Sequence, residues 1–329
     1  MYVLGIETSC DETAAAVVKD GQKIISNIVS SSLSFHKKYW GIVPEIAFRK
    51  QLETITGVVD CALKEASVSW KDIKLVSVTE GPGLLGSLLV GISFAKAISL
   101  AKDIPFLGIN HLYSHIYASF LNRDIPGFPF IALIVSGGHT SLYYVEDFLK
   151  ISLLGSTQDD ACGEAFDKVA KILKLGYPGG PIIEKLARGG NSRMIKFACS
   201  NTKNPFDFSF SGIKTAVLYY VKSQSHHVTK SPVKDICASF QESVVNTLID
   251  KSLSACRIKK AKNLVVGGGV AANRRLREKF IPKAKDEKLN IFFPAIEYCT
   301  DNASMVAGLG YRLFKKGYGS DLNLSAVLE

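Results

Sequence analysis

The sequence predicts an α/β protein built from two copies of one unit, and three observations support this. Residues 131–145, IALIVSGGHTSLYYV, repeat the order of residues 3–18: an apolar strand, a turn of Gly, Ser or Thr, and a second apolar strand. Stretches with helical spacing of apolar residues follow each such unit. NLVVGGGVAANRRLREKF adds a strand, a glycine turn and a helix. At 329 residues and 47% apolar, the chain can bury substantial cores and fits two domains better than one.

Taken in order, YVLGIE is an apolar strand running into small and polar residues, and TAAAVVKDGQKIISNIVSS is a strand, a Lys-Asp-Gly turn and a strand. Residues 45–69 read as a helix with apolar positions at Ile46, Leu52, Ile55, Val58, Val59 and Leu63. LVSVTE is a strand that ends at Gly81-Pro82-Gly83, and a buried helix over 86–102 follows. PFLGIN is a further strand, with Asn110 placed to cap the next helix. Residues 160–190 and 211–262 read as largely helical, broken by Gly176, Pro178, Gly179, Gly180 and Pro181. NIFFPA is strand-like, and CTDNASMVAGLGYRLFKKG is a final helix that can return to the first domain.

The formal charge of +10 favours an anionic partner such as a nucleotide or nucleic acid. The positive residues are interspersed, so folding must assemble any nucleic-acid face. Seven cysteines without a CxxC fit a reducing compartment, with Cys61 and Cys237 as small core fillers and Cys10, Cys162 and Cys299 near turns. The start, MYVLGIETSCDE, does not read as a signal peptide, and Lys96 interrupts the apolar run from Leu84 to Ala101. The expectation is a cytoplasmic protein with no membrane association.

His111 and His115 stand four residues apart in GINHLYSHIYAS. On a helix both imidazoles face one side, near enough to hold one metal ion or simply to form a wet surface. A zincin would need His-Glu-x-x-His, but Leu112 follows His111, so the proteolytic base is missing. In Cys299-Thr300-Asp301-Asn302, Asp301 either caps the last helix or joins the two histidines. Two imidazoles and a carboxylate with open positions suit catalytic Fe(II) or Zn(II). Thr8, Ser9, Asp11, Glu12 and Thr13 form a loop whose hydroxyls and N–H groups can meet phosphate and whose carboxylates can orient a cation, water or amine.

Ser136-Gly137-Gly138-His139-Thr140 can present bare backbone N–H groups, or serve as a plain hairpin turn. Gly267-Gly268-Gly269 leaving a strand permits close approach to a base, ribose or phosphate, and Asn273 can bond a polar edge. Neither GxGxxG nor GxxxxGK[ST] occurs. Asp167 and Lys168 are placed to bind ribose hydroxyls and phosphate, or to form a surface ion pair, and Gly179-Gly180 precede a helix. Phe206, Phe208 and Phe210 alternate as in a core strand, ahead of Lys214, a further anion contact.

Together GIETSCDET, HLYSH, VSGGHT, DFSFSGIKTAV, VVGGGVAAN and CTDNA resemble one family, in its order, from residue 3 to about residue 315. It is the bacterial tRNA N6-adenosine threonylcarbamoyltransferases (TsaD), once described as O-sialoglycoprotein endopeptidases. The resemblance implies the actin/Hsp70/sugar-kinase (ASKHA) fold: two duplicated RNase H-like domains with a cleft between them, residues 1–128 plus 298–329 forming the first and 129–297 the second. It implies transfer of threonylcarbamoyl from threonylcarbamoyl-AMP to N6 of adenosine 37 in tRNAs reading codons that start with A. By the same carry-over His111, His115 and Asp301 hold a divalent metal, with Fe(II) favoured over Zn(II). Ile134, Val135, Ser136, Gly137, Gly138, Asp167, Gly180 and Asn273 contact the adenylate. Thr8, Ser9, Lys168, Glu184, Gly268 and Gly269 are further candidates, and Asp11 and Glu12 are the catalytic ones. Where archaeal relatives place a tyrosine ligand, Ser136 stands near. The implied partners are tRNA, a TsaB-like paralogous subunit and a TsaE-like ATPase. Two alternatives remain: a sugar kinase or ATPase of the same fold, and a non-catalytic scaffold of a tRNA-modifying complex.

Overall fold

The structure, a computed structural model, describes residues 1–123, 127–224 and 232–328. The chain divides into two compact units, Met1–Pro126 with Glu297–Glu329, and Gly127–Ile296. The first contains β1 (Tyr2–Glu7), β2 (Glu12–Lys19), β3 (Lys23–Ser31), α1 (Leu33–His36), α2 (Pro44–Glu65), β4 (Ile73–Gly81), α3 (Leu85–Lys102), β5 (Phe106–Asn110) and α4 (His111–Tyr117). The second contains β6 (Phe130–Val135), β7 (Thr140–Asp147), β8 (Lys150–Ser156), α5 (Cys162–Ile172), α6 (Gly179–Ala187), α7 (Ser211–Gln224), α8 (Val233–Lys259), β9 (Asn263–Gly267), α9 (Arg274–Asp286) and β10 (Asn290–Phe292). The last helix, α10 (Ala303–Lys315), belongs to the first unit.

Each unit has a five-stranded sheet, ordered β3-β2-β1-β4-β5 in one and β8-β7-β6-β9-β10 in the other. In both, the first three strands in sequence pair antiparallel, and the last two join parallel. The duplication expected from residues 3–18 and 131–145 is therefore present in topology as well as in pattern. Asp20 and Gly21 both take positive φ, which makes the tight turn between β2 and β3.

The twofold period of β1 decides what each of its faces meets. Leu4 and Ile6 join Ala15 and Val17 of β2, Ile55 and Val59 of α2, and Leu88 and Ile92 of α3 in one apolar core. Gly5 and Glu7 point to the opposite face, where α10 lies. A Cβ on Gly5 would come within 2.2 Å of the Ala303 carbonyl oxygen, so glycine is what admits α10 so close to β1. Its start is thereby brought beside Glu7.

Several sequence expectations need correction. In α2, Leu52 is 67% exposed and Cys61 is exposed, so neither is core. α3 is long and apolar enough to cross a membrane by length and composition, but it buries only one face, through Ser87, Leu88, Gly91, Ile92 and Ala95. The aromatic row at 206–210 is not a strand, although Phe208 and Phe210 are fully buried. β8 was not expected: it is a largely exposed edge strand without an alternating apolar pattern. The long helical stretch over 211–262 resolves into α7 and α8, and residues 225–231 within it lie outside the described residues.

Candidate functional site

Asn110 accepts from the Tyr113 N–H at 3.1 Å and starts α4, as expected. The first turn of α4 then presents both histidines to one side, with ring centroids 4.7 Å apart. At the start of α10 the cap is Asn302, whose side chain accepts from the Met305 N–H at 3.2 Å. This leaves the Asp301 carboxylate for the histidines, at the positive end of the helix dipole. Its Oδ1 lies 3.0 Å from His115 Nε2 and 3.6 Å from His111 Nε2. One ligand atom from each of the three residues falls within 4.8 Å of the others.

Bonds of about 2.0–2.2 Å to one ion require donor atoms separated by roughly 3–3.5 Å, so this set fits a metal with small adjustments. Glu7, which sequence reasoning missed, completes the arrangement. Its fully buried carboxylate accepts from the Ser9 N–H at 2.5 Å, the Thr79 hydroxyl at 2.6 Å and His111 Nδ1 at 3.1 Å. Ser9 Oγ is a further neighbour of that nitrogen, at 3.2 Å. A carboxylate with three donors stays ionised. Burial works against its charge, but His111 and the hydrogen bonds outweigh burial and hold its pKa below the usual value. The consequence is a proton on His111 Nδ1 and a lone pair on Nε2 facing His115 and Asp301, the carboxylate–histidine pairing common behind metal ligands. In the metal-free protein burial opposes a second proton on His111, yet Glu7 and Asp301 raise its pKa to about 9. A metal ion held by His111 would compete with that proton. His115 Nδ1 is buried without a hydrogen-bond partner among the described residues, so packing and the Nε2 contact orient this ring.

The first loop lies against these ligands. Thr8, Ser9 and Asp11 are buried, and Gln51 of α2 donates to the carbonyls of Cys10 at 3.0 Å and Glu12 at 2.9 Å. Asp11 Oδ2 is buried without a hydrogen-bond partner among the described residues. Burial, then the charges of Asp301 and Asp11, push the Glu12 carboxyl well above its usual pKa.

In the second unit the end of β6, Ile134-Val135, is fully buried and delivers a turn closed by Ser136 N–H to the His139 carbonyl, 2.8 Å. The glycines separate into two kinds. A Cβ on Gly137, Gly138 or Gly180 would meet nothing within 4 Å, so packing does not demand glycine there. Gly268 has φ +89 and a Cβ position 2.3 Å from the Val135 carbonyl oxygen, which makes it a requirement of the fold. Gly269 begins the short turn to Ala272 that follows. Asp167 Oδ1 accepts from the Gly179 N–H at 2.6 Å, tying α5 to α6, and burial raises its pKa to about 6. Asn273 caps α9 through Leu276 N–H at 2.9 Å and donates to Gln241 at 2.9 Å, which leaves one amide hydrogen to bond elsewhere. Glu184 pairs with Arg188 and lines, with Gln241, Glu242, Arg274 and Arg275, a cavity of about 420 Å³. Lys168 is paired with Asp160 at 2.6 Å and Glu164 at 2.9 Å, and Lys214 with Asp160 at 2.8 Å, the ion-pair alternative for both.

The family model described as tRNA N6-adenosine threonylcarbamoyltransferase, TsaD, matches residues 23–308. The chain belongs to this family. A tRNA N6-adenosine threonylcarbamoyltransferase of Syntrophus aciditrophicus is 48% identical over 327 residues, covering 99% of this chain and 96% of that protein. Its counterpart in Dictyoglomus turgidum is 49% identical over 326 residues, covering 99% and 97%. Among solved structures, the (R)-2-hydroxyglutaryl-CoA dehydratase component A of Acidaminococcus fermentans matches with TM-score 0.56 at 19% identity, covering 95% of this chain and 98% of that one. Full-length HypF, in its phosphate- and nucleotide-bound form, matches with TM-score 0.62 at 14% identity, covering 97% and 47%. These two bear on the fold alone, which is the ASKHA fold.

Proposed function

We propose that this chain transfers the threonylcarbamoyl group of threonylcarbamoyl-AMP to N6 of adenosine 37 in tRNAs reading codons that begin with A. The observation that carries the reading is the meeting of His111, His115 and Asp301, backed by Glu7, in a chain of this family. These three residues would hold a divalent ion, Fe(II) by family resemblance, with Zn(II) compatible with the same donors. When bound, the ion supplies Lewis-acid polarisation of the threonylcarbamoyl carbonyl.

The chain's own residues do the rest. The turn at 134–138, Asp167, Gly180 and Asn273 hold the adenylate, supported by open backbone at Gly137, Gly138 and Gly180 and by the anchoring of the Asp167 carboxylate on the Gly179 N–H. Adenine N6 is a weak nucleophile, so positioning it against the carbonyl carbon supplies much of the rate. The N6–carbon bond forms, the bond from that carbon to the AMP phosphate oxygen breaks, and AMP leaves. The N6 proton passes to Asp11, whose unpartnered buried oxygen is the available acceptor, with Glu12 kept protonated beside it. The first unit thus serves as the metal domain and the second as the adenylate domain. Family membership supports tRNA, a TsaB-like subunit and a TsaE-like ATPase as partners and a cytoplasmic location.

The test is incubation with labelled threonylcarbamoyl-AMP, tRNA and the partner subunits, followed by digestion and detection of modified adenosine with matching AMP. Elemental analysis of anaerobically purified protein identifies the ion. His111→Ala with His115→Ala should remove both metal and transfer while circular dichroism stays native. Full transfer by that double variant would refute the mechanism. A sugar kinase of this fold would have no use for the histidine pair.

A further inference from the structure

The stretch from Ser32 to Val43 supplies neither a metal donor nor a nucleotide loop, yet a buried relay ties it to Asp11. The Val43 N–H donates to His36 Nδ1 at 3.2 Å, and His36 Nε2 donates to Ser32 Oγ at 2.9 Å. The Ser32 hydroxyl donates in turn to the Asp11 carbonyl oxygen at 2.8 Å. His36 is fully buried, so it acts as an internal strut. From this fixed base three aromatic side chains turn outward: Phe35 is 49% exposed, Tyr39 51% and Trp40 39%. Trp40 also sits at φ 59, ψ 31, a left-handed conformation that favours glycine. A strained, exposed tryptophan contributes little to the fold that carries it, which points to a role in binding.

Cations accompany the rings. Lys38 Nζ lies 4.8 Å from the Tyr39 ring centroid and Lys50 Nζ 5.0 Å from that of Phe35. Lys37 and Lys38 form no ion pair among the described residues, whereas Lys50 is paired with Glu53 at 2.7 Å, so the free positive charge here belongs to Lys37 and Lys38. Open aromatic faces interleaved with unneutralised ammonium groups are what unpaired nucleotides require, the bases stacking on the rings and the phosphates meeting the lysines.

We infer that Phe35, Tyr39 and Trp40, flanked by Lys37 and Lys38, form a stacking platform for unpaired anticodon-loop nucleotides adjoining the target adenosine. The inference rests on the tRNA reading above and adds the surface that orients the substrate. The Ser32–His36 relay then holds platform and Asp11 in fixed register.

The test uses the full chain and a tRNA anticodon stem–loop. The chain has two tryptophans, so a Trp70→Phe background makes Trp40 the sole reporter. Its fluorescence should be quenched by the stem–loop and not by a fully paired RNA of equal length. Trp40→Gly relieves the backbone strain, keeps the fold and should weaken stem–loop binding roughly tenfold, as should Phe35→Ala. Lys37→Ala with Lys38→Ala should flatten the log–log salt dependence by about 1.4. In the transfer assay Trp40→Gly should raise the KM for tRNA, while metal content stays that of the wild type. Equal RNA affinity and KM in Trp40→Gly and wild type overturn the platform alone. Wild-type RNA affinity in that variant with loss of partner-subunit binding assigns the surface to a protein and overturns it too. Absence of transfer by the wild-type complex overturns the underlying reading instead.

Discussion

Glu7→Gln tests the proposed metal centre through a residue outside the proposed donor set. The substitution keeps size and shape but exchanges one acceptor oxygen for an NH2 group. In the native site the carboxylate receives three donors: Ser9 N–H at 2.5 Å, Thr79 Oγ at 2.6 Å and His111 Nδ1 at 3.1 Å. If the amide nitrogen faces His111, that ring must move its proton to Nε2, the nitrogen aimed at Asp301. If the amide is flipped, two N–H groups confront each other at Ser9 in a buried space. The first outcome blocks the ligand lone pair, and the second leaves a buried donor unsatisfied at about 1–3 kcal/mol. Loss of the partner behind a metal-bound histidine lowers affinity roughly 10–100-fold, or about 1.4–2.7 kcal/mol. Metal content after anaerobic dialysis against a graded chelator series measures this directly, with circular dichroism as the folding control. Retention of metal equal to wild type in a folded Glu7→Gln protein would refute the claim that Glu7 sets the His111 tautomer.

Three further predictions follow from individual residues. Asp11→Asn should lower kcat roughly 10²–10⁴-fold with metal content unchanged, and an unaltered single-turnover rate would remove Asp11 from the proton path. Asp167 has a folded pKa of about 6 against 3.8 when free, so its contribution is complete at acid pH and lost as pH rises through 6. Comparing denaturant unfolding of wild type and Asp167→Asn from pH 4.5 to 7.5, the variant should gain about 2 kcal/mol in relative stability with rising pH, whereas parallel profiles would contradict this. Gly180→Ala should leave the melting temperature unchanged or raised and increase the KM for threonylcarbamoyl-AMP, because its Cβ enters open space. Gly268→Ala should instead destabilise by more than about 1 kcal/mol, since φ is +89 and the Val135 carbonyl blocks the new carbon; equal melting temperatures for the two variants would undo the distinction.

The duplicated α/β plan, the helix that carries His111 and His115, and the absence of a zincin base at Leu112 were all legible in the residue pattern. These depend on period, caps and spacing, which act over a few residues and are written locally. The choice of family was also legible, because six motifs occur in one order. Tertiary structure decided everything that depends on which distant side chains meet. Asp301 could cap or coordinate until Asn302 was found to hold the cap. Glu7 read as the polar end of an apolar strand, and only the order β1-β4-β5 in the sheet, with α4 following β5, placed it behind His111. Lys168 and Lys214 looked available for an anion until the fold set Asp160 between them. Gly137 and Gly268 are the same letter, and only the space around each separates open backbone from a steric requirement. Local pattern predicts elements because backbone hydrogen bonding and periodic burial are short-range. A site is a coincidence of residues far apart in the chain, and packing alone brings them within bonding distance.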